Sequence, residues 1–150
     1  MLKVIVPKTY VDQINNEPTL ASSVAYIMRA LYESFDDVYS MNDEYTWDEI
    51  EDLYTALLDI CAACAVATDN APVSGFLPEC TIYVHMNTAK TISAFASMQR
   101  TVIAVAQIEW YDADDEHPFS KATAKLFSCN RALGNVHHSM RAAYDTRMKH

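Results

Sequence analysis

Cys61, Cys64, Cys80 and His85 spell C-x2-C-x15-C-x4-H, a spacing close to that of zinc ribbons. A zinc knuckle needs turn residues around its first cysteine pair. The stretch ICAACAVA supplies none, and both thiols fall on the apolar side of a helical pattern. Cysteines acting as small buried hydrophobes are therefore expected, with no bound metal. A redox role for the same pair would need a helix N-terminus to lower one thiol pKa, whereas the pair lies about four turns into its helix. Asp112, Asp114, Asp115 and Glu116 suggest a calcium loop at first sight. Counted from Asp112, the sixth position is His117 where glycine is required, and the twelfth is Thr123 where glutamate is required. His137 and His138 diverge by about 100° around a helix, so they cannot serve one ligand together. One is expected at the rim of the apolar seam, the other in solvent. With only Gly75 and Gly134 in the chain, no glycine-rich phosphate loop can be written. Chain order alone assembles no catalytic set, so the reading expects neither a catalytic residue nor a cofactor.

Carboxylates remain. Between residues 30 and 89 there are twelve Asp and Glu and not one Lys or Arg. Asp48, Asp52 and Asp59 share one helical face, about 6 and 10 Å apart along the axis at 1.5 Å rise per residue. Asp36, Asp37, Asp43 and Glu44 precede them, and Glu49 sits among them. Carboxylates in a row without a neighbouring His or Lys stay ionised, which suits charge complementarity better than acid–base catalysis.

The elements that must hold these residues can be read from periodicity. Thr46-Trp-Asp-Glu49 is a capping box opening a long helix to about residue 70. Trp47, Ile50, Tyr54, Leu57, Leu58, Cys61 and Cys64 form its expected apolar arc. A helix is expected from 19 to between 35 and 38, another over 88–111, and a last one from Ser120. In the last, Ala122, Leu126, Cys129, Leu133, Val136, Met140 and Ala143 keep heptad spacing. Gly134 lies inside that seam, and unbroken phase across it favours one continuous helix. The 88–111 segment is apolar on several sides and is expected to be the most buried helix. Residues 2–6 and 81–86 read as two strands that could pair, and 9–15 as an ambiguous helical turn. The expected fold is mainly α (α+β): a four-helix bundle-like core with a minor two-stranded element, in a single domain over 1–150.

The charge is polarised. Of the net −9, residues 30–89 carry −12 while 120–150 carry +5. An acidic middle repels nucleic acid and anionic lipid and favours a basic protein partner. No signal-type segment and no run of about 18 apolar residues occurs, which points to a cytoplasmic protein without a membrane partner. The carboxylate spacing approaches that of phosphates along a nucleic-acid strand, about 7 Å. In charge alone the pattern resembles the DNA-mimic inhibitors that viruses direct against restriction and CRISPR systems. The resemblance implies a viral protein working in the host cytoplasm. Its partner would be the basic surface of a nucleic-acid-binding complex, with Asp36, Asp37, Asp43, Glu44, Asp48, Glu49, Asp52 and Asp59 as the binding residues. The alternative is an assembly module that docks or homodimerises through the C-terminal heptad seam.

Overall fold

The computed structural model describes residues 1–33, 45–73, 75–109 and 117–149. Helices dominate, and a small antiparallel sheet closes one side. In chain order the elements are β1 (Leu2–Pro7), α1 (Lys8–Asn15), α2 (Leu20–Tyr32), α3 (Trp47–Ala65), β2 (Thr68–Asp69), β3 (Glu79–Val84), α4 (Met86–Glu109) and α5 (Pro118–Met148). Mainly helical architecture with a minor sheet agrees with the sequence reading. The finer expectation of four helices and two strands does not describe it: α1 is a fifth helix and β2 a third strand.

β1 pairs with β3 in the expected antiparallel way, Leu2 opposite Val84 and Val6 opposite Cys80. Alternation then fixes the faces. Leu2, Val4, Val6, Cys80, Ile82 and Val84 are buried, while Lys3, Ile5 and Tyr83 face outward. β2 adds two residues to the far edge of β3, Thr68 opposite Thr81 and Asp69 opposite Cys80. So short a strand has no alternation to read. It is held instead by its side chains: Asp69 accepts from Lys8 Nζ at 2.8 Å, and Thr81 donates to Asn70 at 2.7 Å.

Pro7 ends β1 and stands at the N-cap of α1, its fixed φ of −60° suiting a helix start. Asn15 then donates from its side chain to the Cys64 carbonyl at 3.0 Å, at the end of α3, where that carbonyl also accepts from the Ala67 amide at 3.3 Å.

α5, not α4, is the helix the rest packs around. It touches α1, α2, α4 and β1. Ala122, Leu126, Cys129, Leu133, Val136 and Met140 are all buried. Most of the heptad seam is therefore packed inside its own chain, with Ala143 partly buried at its end. The helix runs unbroken through Gly134, as the phase of the seam implies. α4 buries one stripe, Ala89, Ile92, Phe95, Met98 and Val102, and exposes Lys90, Ser93, Ser97 and Arg100. Among the described residues, no helix is long and apolar enough to cross a membrane.

Candidate functional site

α3 carries the acids, and its start is as read. Thr46 Oγ1 accepts from the Glu49 amide at 3.2 Å, and the Glu49 carboxylate accepts from the Thr46 amide at 3.0 Å. Its buried face is not as read. Ile50, Leu57 and Cys64 are buried as expected, but they are joined by Leu53, Ala56, Ile60 and Ala63. Leu58 is 46% exposed, and Trp47, Tyr54 and Cys61 are only partly buried. The core-facing arc is rotated by about 90° from the expected one. The cause is the neighbourhood: α3 packs on α1, α2 and β3, and small Ala56 and Ala63 permit close approach there. The aromatics flank the contact instead. Trp47 meets Tyr32 edge-on at 5.1 Å and lies 5.7 Å from the Arg29 guanidinium.

That rotation decides what the acids do. Asp59 now borders the core, with its side chain only 12% exposed. One carboxylate oxygen accepts from the His85 amide at 2.9 Å, and the other lies 3.6 Å from His85 Nε2. His85 immediately precedes α4, so Asp59 serves as an N-terminal cap donated from another helix. Glu49 is engaged in its own capping box. Asp48 and Asp52 stand exposed with no ion pair or hydrogen bond to another described residue. Asp52 edges a shallow cleft of about 290 Å³ beside Asn87, Thr88 and Thr91 of α4. Asp36, Asp37, Asp43 and Glu44, like Asp112 to Glu116, lie outside the described residues. The acidic row therefore divides into two acids doing structural work, Glu49 with one oxygen only, and two open to a partner.

The cysteines behave as buried hydrophobes. Burial pushes the Cys61 thiol up to about 11 and the Cys64 thiol up to about 12. Cys80 and Cys129 are raised for the same reason, Cys80 also because it donates to Asp69. All four are free thiols. Among the described residues, no group of three or more His, Cys, Asp or Glu could hold a metal ion.

A second locus was not legible in the sequence. Between α4 and α5 lies a cleft of about 540 Å³, with Ala96 and Gly134 in its lining. Arg100 reaches it from α4, and Arg131 and Arg141 from α5, with no carboxylate in its lining. Arg141 is braced by Ser93 at 2.9 Å and lies 4.0 Å from Asp145. His137, expected at the rim, is only 6% exposed, and Gln99 only 4%. Both line the cleft, and His137 Nε2 and Gln99 Oε1 have no hydrogen-bond partner. Burial, with Arg100 adding repulsion, holds the His137 imidazole down to about 4, so it is neutral at pH 7. One signal pointed here: the +5 of residues 120–150. What hid the site is that its residues come from two helices about 30 positions apart.

No family model, no curated protein and no solved structure matches this chain.

Proposed function

We propose that this chain is a small acidic interaction protein whose α3 carboxylates engage a basic surface of a partner protein, of the kind that ordinarily binds nucleic acid. One observation carries the reading. Asp48 and Asp52, one turn apart, are exposed and unpaired at the head of α3, within a stretch of sixty residues that has no Lys or Arg. Two uncompensated charges at one turn's spacing cost self-repulsion in the free protein. A basic partner would relieve that cost. Occupation of a phosphate-binding surface would make the protein an inhibitor by mimicry, in the manner of viral anti-restriction or anti-CRISPR proteins. Asp36, Asp37, Asp43 and Glu44, which precede α3 in the sequence, complete the proposed set. Asp59 is held at the head of α4, whereas Glu49 lends one oxygen to its capping box and, exposed with the second oxygen unengaged among the described residues, stays in the proposed set.

The test is affinity capture from host lysate at two ionic strengths, followed by titration of the recovered partner. Exposed charge contacts weaken with salt, so capture should fall steeply between low and high salt. Replacing Asp48 and Asp52 together by Asn should weaken binding by about tenfold or more, at roughly 1 kcal/mol per lost charge-assisted contact. A recovered partner that binds the double variant as tightly as the parent would reduce the acidic face to a solubilising one.

A further inference from the structure

We propose that the cleft between α4 and α5 is a binding site for a small organic phosphate, a molecule with a dianionic head and hydroxyl or amide donors beside it. The inference is independent of the acidic face and does not rest on the reading given above.

Three guanidinium groups bordering one cleft without a carboxylate define the head group. A carboxylate is satisfied by one arginine fork, whereas a phosphate offers oxygens enough for several. Arg100 and Arg131 have no hydrogen bond or ion pair to another described residue, so no described carboxylate neutralises them. The buried wall defines the rest of the ligand. Gln99 Oε1 can only accept, and it is shut away from water without a donor. His137 Nε2 is equally orphaned, and the neutral imidazole offers it one polar contact. Buried polar atoms without partners are rare and costly. Both belong to residues that line the cleft, and a rotation of either side chain would present its orphan atom to a ligand bearing O–H or N–H groups. A volume of about 540 Å³ falls within the span of small-molecule sites, roughly 300–1,000 Å³.

Gly134 adds a separate observation. It stands in the middle of a 31-residue helix, where glycine weakens helical structure. Its backbone does not require glycine, since Gly75 is the only described residue with positive φ. Packing does not require it either, because a Cβ built there meets nothing within 4 Å. The space that a side chain would take is the cleft itself. A polynucleotide carries the same phosphate chemistry, but the chain's net charge of −9 opposes a long polyanion. A small anion enters the local field of the arginines alone.

The experiment is calorimetric titration of the full chain, in phosphate-free buffer, with adenosine 5′-monophosphate, ribose 5-phosphate, inorganic phosphate and a ten-residue thymidine oligonucleotide. At least one organic phosphate should saturate with a Kd below about 1 mM and bind about tenfold tighter than inorganic phosphate. Arg100→Gln and Arg131→Gln lie at exposed positions and should each weaken that binding about tenfold while melting like the parent. Gly134→Phe should abolish it by filling the cleft, and Lys3→Gln, on the outer face of the sheet, should leave it unchanged. The proposal is overturned if no organic phosphate saturates below about 10 mM. It is equally overturned if inorganic phosphate or the oligonucleotide binds as tightly, or if the two arginine variants bind like the parent.

Discussion

The acidic face of α3 and the basic cleft between α4 and α5 are opposite in charge, and opposite in how their residues are drawn from the chain. The acids are neighbours in sequence, strung along one helix within twelve positions. Their proximity to one another is set by helical geometry alone, and so is visible before folding. Their availability is not. Of the five acids on α3, Glu49 lends an oxygen to its own capping box and Asp59 serves the head of α4. The cleft residues are scattered over two helices, and only packing brings them together. Once together they are left unspent among the described residues: two arginines unpaired, two buried polar atoms unsatisfied. Charge density along a sequence thus overstates the acidic site and misses the basic one. Within a fold, a charged row is first a supply of caps and bridges. What remains unpaired after packing is the better guide to binding.

The comparison presumes one continuous core behind both surfaces, with the α5 seam inside it. Leu133 is fully buried at the centre of that seam. Leu133→Asp would place a carboxylate there without a partner, at a cost of several kcal/mol. The expected result is loss of cooperative unfolding and of the helical circular-dichroism signal. A variant that melts and sizes like the parent would put the seam on the surface and favour the assembly reading.

Next in size is the pH response of the cleft. The His137 imidazole is held at about 4 in the fold, against about 6.5 in an unfolded chain. The unfolded state therefore takes up a proton at a pH where the folded state refuses it. This contribution is fully present above pH 6.5, declines as pH falls toward 4, and is constant below that. Its full extent is on the order of 3 kcal/mol. Denaturant unfolding in phosphate-free buffer, of the parent and of His137→Leu, isolates it from the carboxylates that titrate at the lower end. The parent should lose stability relative to the variant between pH 7 and 4.5. Parallel profiles would mean that His137 ionises without cost, and that the wall of the cleft is wet.

What could be read in advance follows the same division. The capping box, the continuity of α5 and the β1–β3 pairing rest on local signals: Thr46 three residues before Glu49, an unbroken heptad across Gly134, β-branched residues in 2–6 and alternation in 81–86. The rotation of α3 does not. Trp47, Tyr54 and Leu58 are large side chains at helical spacing, yet Leu53, Ala56, Ile60 and Ala63 take the buried face where α1, α2 and β3 press against the helix. β2 is two polar residues long, and its cue lies in Lys8 and Thr81, far along the chain. The same holds for the start of α4. Its acceptor is Asp59, 26 residues upstream of His85. The cleft needed two helix faces in register, which no single stretch encodes.

The smallest effect sharpens the comparison most, because it separates acids that look alike in sequence. Asp48, Asp52 and Asp59 lie on one helical face, but only Asp59 accepts a backbone amide. Replacing an N-terminal capping acceptor by alanine costs about 1 kcal/mol, so Asp59→Ala should lower stability by that amount. His85 then loses both its amide acceptor and its charged neighbour, and the first turn of α4 should fray. Amide hydrogen exchange at residues 86–89 would register this as a local loss of protection. Asp48→Ala and Asp52→Ala remove exposed, unpaired charges, so each should change stability by less than about 0.5 kcal/mol. Relief of repulsion between the two, one turn apart, could make the sign favourable. If all three variants unfold alike and exchange alike, Asp59 is not a cap. The acidic row would then be a single functional class, as it looks on the page.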